Sequence, residues 1–269
     1  MEYIGKKEQP IAVFDSGMGG ISVLRELVSV MPNEDYIYFG DSKNAPYGTK
    51  SKEEVRRLTI EHAEELFEQG AKGLVVACNT ATSAAVAKLR ELYPYIPIVG
   101  IEPAVKPAVN CKENPRVLVM ATPMTIREEK FKKLMARYED QAKIIPLPCP
   151  GLMDFVERGD LDGEDLQKYL TELLYEFREE KVDAAVLGCT HYPFVRKIIQ
   201  KTLGSDVQIF DGGAGTAREM KRRLQEANLL NDSGTKGEVI FRNSLKDERK
   251  IALAKMLFEM KAGDETTKP

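Results

Sequence analysis

The stretch "VLGCTHYP", Val186 to Pro193, ends a run of apolar residues on a cysteine and follows it with a threonine and one of the chain's two histidines. More than a hundred residues earlier, "VVACNTAT", Val75 to Thr82, does nearly the same with Cys78, Asn79 and Thr80. A short apolar, β-branched run that breaks into a polar cluster reads as a buried strand reaching its carboxyl end. Meeting it twice, each time with a thiol at the break, points to two similar strand–turn–helix units in one chain.

The rest of the sequence extends this reading. Similar runs recur as "IAVFD", "DYIYFG", "IPIVGI", "RVLVMA", "AKIIPL", "VQIFDG" and "GEVIFR", and helical periodicity fills most of the gaps. Such alternation is expected of a mostly parallel sheet with crossover helices on both faces. Leu166, Tyr169, Leu170, Leu173, Leu174 and Phe177 share one helical face. A second helix is expected from about Ser51 to Gln69, with Ser51 as cap and Gly70 as stop. "IAVFDSGMGGIS" and "VLVMATPMTIR" open the two halves alike, and each is followed by its cysteine strand about sixty to seventy residues on. The expected fold is therefore α/β: two similar lobes, each a mostly parallel sheet flanked by helices, with the active site in the cleft between them. Pro94, Pro97, Gly100 and Pro103 punctuate one boundary, and "DGGAGTA" after Phe210 marks another, where the chain returns so that "GEVIFR" completes the first sheet. The expected division is 1–99 plus 211–269, carrying Asp15 and Cys78, and 100–210, carrying Cys189. The polar tail "AGDETTKP" is expected to fray.

Composition narrows the function. Of 269 residues, 43% are hydrophobic and 30% charged, a globular composition. A net charge of -3 offers no general attraction to nucleic acid or to an anionic membrane surface, and no apolar run would span a bilayer. "MEYIGKKEQP" carries charges where a signal peptide needs its apolar core, so the expected location is cytoplasmic and the four cysteines are expected as free thiols. No CxxC pair occurs, and two histidines supply a structural zinc site poorly. No metal is expected; a zinc held by Cys78, Cys189 and His191 is the alternative.

In open parallel sheets ligands gather at the carboxyl ends of strands, where Asp15, Ser16, Cys78 and Cys189 are expected. Cys111 and Cys149 read as buried thiols without chemistry. Cys78 and Cys189 differ, because polar residues at a helix start follow each, and helix N-termini favour thiolate. "DSGMGG" suits a phosphate loop in its glycines, but Asp15 would repel a phosphate and suit a substrate ammonium group. "NAPYGTKS" reads as a loop over the strand ends. His62 falls in the apolar arc of Val55, Leu58, Ala63 and Leu66 and reads as a core-edge residue. His191, two residues after Cys189, can reach the same cleft as the thiol.

Two matched thiols suit a reaction that needs an acid and a base on opposite faces of one carbon, as inversion of a stereocentre by proton transfer does. A nucleophilic thiol enzyme would leave the second cysteine unexplained. With "FDSGMGG", "GDSKNAPYG", "ACNTAT", "ATPMTI", "GLMDFVE" and "GCTHYP" in order along nearly the whole chain, the sequence resembles the glutamate racemases of the aspartate/glutamate racemase superfamily. The resemblance implies cofactor-independent interconversion of L- and D-glutamate, supplying D-glutamate for peptidoglycan. It also implies that Cys78 and Cys189 are the two bases, with Cys78 acting on D-glutamate and Cys189 on L-glutamate. By the same resemblance Asp15, Ser16, Tyr47, Gly48, Asn79, Thr80, Thr190 and His191 line the substrate, while Asp41 and Glu157 support the catalytic groups. A homodimer is expected from the resemblance alone. Thr82 stands where the commoner pattern has another small residue. The competing readings are an aspartate racemase, a non-catalytic amino-acid clamp and a thiol hydrolase.

Overall fold

In a computed structural model of the chain, residues 5–260 are described; the "AGDETTKP" tail lies outside them. Residues 5–102 and 213–258 pack as one unit, and residues 103–212 as another.

The first unit begins with β1 (Ile11–Asp15), α1 (Ile21–Val30), β2 (Tyr36–Gly40), α2 (Lys52–Glu68), β3 (Gly73–Val76), α3 (Asn79–Leu92) and β4 (Ile98–Gly100). The second holds α4 (Val105–Val109), β5 (Arg116–Ala121), α5 (Pro123–Arg127), α6 (Glu129–Ala136), β6 (Lys143–Pro148), α7 (Leu152–Glu157), α8 (Glu164–Glu179), β7 (Ala184–Leu187), α9 (Arg196–Leu203) and β8 (Gln208–Asp211). The chain then rejoins the first unit through α10 (Gly213–Glu226), β9 (Val239–Asn243) and α11 (Glu248–Glu259).

The first sheet runs β4-β3-β1-β2-β9 and the second β6-β5-β7-β8, every paired neighbour being parallel. Read from the other edge, β8-β7-β5-β6 repeats β4-β3-β1-β2. The two sheets therefore share one winding, with β9 as an added edge strand on the first. Central β1, β3 and β7 are buried at every position, as expected of strands covered on both faces. The edge strand β6 tolerates Pro146 and Pro148 because its outer side makes no ladder bonds.

Local chemistry accounts for the helices. Ser51 Oγ accepts the Glu54 N–H at 3.2 Å, Glu53 and Glu54 sit in the first turn of α2, and Gly70 at φ +91° ends it in a conformation that disfavours a side chain. Leu166, Leu170 and Leu174 are the buried stripe of α8. At the amino ends of the first sheet, buried Lys72 pairs with buried Glu34, whose Oε1 accepts the Asn231 N–H at 2.8 Å. This pair ties the segment that leads into β9 to the entrances of β2 and β3.

Candidate active site

Strand register puts the two thiols in equivalent places. Phe14 of β1 lies opposite Val76 of β3, and Met120 of β5 lies opposite Leu187 of β7. Beyond the ladder, the Ala77 N–H donates to Phe14 O at 2.7 Å and the Gly188 N–H donates to Met120 O at 2.7 Å. The next residue is Cys78 in one unit and Cys189 in the other. The match continues one strand over, where the Asp41 N–H reaches Asp15 O at 2.9 Å and the Cys149 N–H reaches Ala121 O at 3.0 Å. Cys149 thus occupies the register place of Asp41.

In the first unit Cys78 caps α3, and its Sγ accepts the Ala81 N–H at 3.4 Å. Asp15 is fully buried at the end of β1, and its Oδ1 accepts the Gly17 N–H at 2.8 Å. That carboxylate uses the amide a phosphate would need. A Cβ on Gly20 would lie 2.6 Å from Asp15 Cβ, so this glycine lets α1 start directly against the carboxylate. Ser16 and Thr80 are buried beside these strand ends, and the buried Asn79 Oδ1 has no hydrogen-bond partner among the described residues. Thr82 turns inward, its hydroxyl donating to Val76 O at 3.0 Å.

Asp41 is the hub at the exit of β2. Its Oδ2 accepts the Tyr47 hydroxyl at 2.7 Å, and the Asn44 amide reaches both oxygens at 3.0 Å. His62 Nε2 stands 3.2 Å from Oδ2, off the line of a good hydrogen bond. Burial pushes the Asp41 carboxyl up, but the contacts from His62, Tyr47, Ser244 and Asn44 outweigh it and hold it below its usual value. Tyr47 opens a one-turn 3-10 helix that includes Gly48; its ring is buried against Phe14, so its engaged hydroxyl serves the loop. Burial and then the Asp41 charge push the Tyr47 phenol far up.

The second unit solves the same position differently. After Cys189 the chain enters a 3-10 turn, Tyr192–Val195, and α9 starts only at Arg196. The expectation of an α-helix start behind both thiols is therefore corrected here: Pro193 has no N–H to give, and a 3-10 turn precedes α9. A side-chain relay stands in place of the helix start. Cys189 Sγ is 3.6 Å from His191 Nδ1, and His191 Nε2 is 2.9 Å from Oε1 of Glu157, the last residue of α7. His191 is buried, which favours its neutral form, but Cys189 and Glu157 on its two nitrogens more than reverse this and raise its pKa well above the usual value. Thr190 is buried between Cys189 and this turn.

The remaining thiols are of another kind. Burial, with a smaller contribution from the Cys189 charge, pushes the Cys149 thiol up to about 12, and the thiol donates to Leu147 O at 3.4 Å. Burial also raises the partly buried Cys111. Both stay protonated near neutrality. No group of three His, Cys, Asp or Glu side chains suited to a metal occurs among the described residues. No described helix is long and apolar enough to cross a membrane.

Sequence reading missed two members of the first unit's cluster. Asn44 lies only three residues from Asp41, inside a motif already singled out, and that short spacing was the available signal. His62 had none, because its partner is decided by where α2 lies on the sheet.

The Asp/Glu/Hydantoin racemase family profile matches residues 13–220. A glutamate racemase of Clostridium perfringens is 52% identical over 255 residues, covering 95% of this chain and 98% of that one. The solved glutamate racemase of Francisella tularensis in complex with D-glutamate is 30% identical with a TM-score of 0.81, covering 94% of each chain. That of Escherichia coli, in complex with L-glutamate and the activator UDP-MurNAc-ala, is 29% identical with a TM-score of 0.81, covering 93% of this chain and 95% of that one. A chain matched over this length, with its paired strand-end thiols, belongs to the Asp/Glu/Hydantoin racemase family and stands among its glutamate racemases.

Proposed function

We propose that this racemase interconverts L- and D-glutamate by a two-base mechanism in which Cys78 and Cys189 act from opposite faces of the α-carbon and no cofactor takes part. The observation that carries the reading is the equal offset of the two thiols beyond paired strand ends of like-wound sheets. One sulfur, as thiolate, accepts the α-hydrogen as a proton; the other, as thiol, delivers its proton to the opposite face and becomes the thiolate. Nothing is consumed, and the two thiols end with exchanged protonation states. Cys189 removes the proton from L-glutamate, with the His191–Glu157 pair behind it, and Cys78 removes it from D-glutamate.

The intermediate is carbanion-like and needs donors aimed at its carboxylates. Ser16, Thr80, Thr190 and the amides that open α3 are of the right kind. Asp15 and the unpartnered Asn79 Oδ1 suit the substrate ammonium, whose charge offsets that developing at the neighbouring carbon. Approach of both thiols to one carbon would exclude water and strengthen each of these interactions. Supply of D-glutamate for peptidoglycan, a cytoplasmic location and a homodimer belong to the same proposal and rest on the family resemblance.

Incubation with L-glutamate in deuterium oxide tests the reading. Optical rotation should decay to zero with deuterium entering at the α-carbon, without added metal or pyridoxal. Binding without exchange would make the chain a clamp, and faster loss of rotation from L-aspartate would shift the substrate.

A further inference from the structure

The His62–Asp41 contact belongs neither to the thiol chemistry nor to the apolar packing expected of this histidine. His62 lies on α2 with its ring against Phe39 and Phe14, at centroid distances of 4.8 and 5.8 Å, and its side chain is 15% exposed. Nε2 is 3.2 Å from Asp41 Oδ2, and Nδ1 is 3.2 Å from Glu65 Oε2. Oδ2 is the same oxygen that accepts the Tyr47 hydroxyl. The ring and the Tyr47 hydroxyl thus meet the same carboxylate oxygen, which the Asn44 amide also reaches.

We propose that His62 is a positioning residue: its imidazolium fixes the buried Asp41 carboxylate, and Asp41 in turn sets the 41–49 loop, with Tyr47 and Gly48, in the conformation that receives substrate. This deepens the glutamate racemase reading and rests on it for the role of the loop.

The physics runs from charge to loop. Asp41 is fully buried, and a buried carboxylate needs both hydrogen bonds and a counter-charge to stay ionised in one orientation. Tyr47 and Asn44 supply neutral donors; His62, when protonated, is the cation beside it. The charged groups acting on the ring are Asp41, from the exit of β2, and Glu65, on α2 itself; β1 and β2 face it with Phe14 and Phe39. Burial alone favours neutral imidazole, but Asp41 and Glu65 outweigh it and raise the His62 pKa. Doubly protonated, the ring donates to Glu65 through Nδ1 and faces Asp41 with its charge, Nε2 lying off the hydrogen-bond line. Deprotonated, it keeps one N–H and loses its charge, so the Asp41 clamp slackens as pH rises through the His62 titration.

The experiment has two arms. Proton NMR of the whole protein follows the ring C–H signals; with only two histidines in the chain, His62→Gln assigns them. His62 should titrate above the ordinary value of about 6.5, and Asp41→Asn should bring it down toward that value. Steady-state racemisation of both glutamate enantiomers then reads the loop. His62→Leu should raise KM about tenfold for both at neutral pH with kcat within about twofold, and His62→Gln, which keeps one donor but no charge, should recover only part of the loss. Wild-type KM should climb through the His62 titration, and the His62→Gln KM should not. An ordinary, Asp41-independent titration overturns the pairing. Equal pH dependence of KM in wild type and His62→Gln overturns the positioning role and leaves a packing residue. Absence of α-hydrogen exchange in the wild type would sink the racemase reading instead, and the NMR arm would still decide the pair.

Discussion

The first unit holds its thiol against the start of a long α-helix, where the Ala81 amide points at Cys78 Sγ. The second holds its thiol before a single 3-10 turn and backs it with His191 and Glu157. The strand order and the bonds that lead into the two cysteines are alike, so the difference begins one residue later. It teaches that one scaffold accommodates two surroundings for a strand-end sulfur: backbone amides, which have no charge to lose, and an imidazole–carboxylate pair, which titrates. At the sulfur itself the first places no second titrating group, and the second does.

The largest effect tests whether the units are partners at all. Cys78→Ala and Cys189→Ala should each lower racemisation by at least about 10³-fold, because one face of the carbon loses its acid or base. Near-normal turnover by either variant in both directions would dissolve the two-base scheme.

His191→Asn tests the asymmetry. It should depress kcat in the L-to-D direction by about 10²-fold and in the opposite direction by less, since Cys189 is the proposed acceptor for L-glutamate. The enantiomers have equal free energy, so kcat/KM must stay equal in the two directions, and the difference has to appear in kcat and KM separately. Equal proportional loss of kcat from both sides would leave His191 as a substrate contact. Glu157→Gln keeps the shape and removes the charge, and should give the same asymmetry with a smaller loss, about tenfold.

The titrating unit should also show itself in stability. The His191 pKa is raised in the folded state, so the folded protein binds the proton more tightly than the unfolded chain. That stabilisation is fully present below the unfolded value of about 6.5 and is lost as pH rises through the folded value. The wild-type unfolding temperature should fall from about pH 6.5 upward, and His191→Asn should fall less steeply over the same interval. His62, raised in the same direction, contributes to the slope that remains.

The smallest effect concerns the register match between Asp41 and Cys149. Cys149→Ala should leave both kcat values within about twofold and cost about 1 kcal/mol of stability, because its thiol is buried, protonated and bonded to Leu147 O. A large loss of rate would mean that the second unit uses this place for function, as is proposed for Asp41 in the first.

The sequence by itself determined the nine strands of the described residues, since each is a short apolar run whose pattern is local, and it determined that two of them lead into a thiol. It also determined the Ser51 cap and the Gly70 stop, which depend on neighbours within one turn. Tertiary structure alone decided that Glu157, thirty-four positions before His191, meets its Nε2, and that His62 turns its ring to Asp41. It also decided that α3 stands behind one cysteine and a 3-10 turn behind the other. Hydrophobic periodicity reports which face of an element is buried but not which element covers it. That second fact follows from strand order and from where each helix crosses the sheet, and those are settled by packing the whole chain at once.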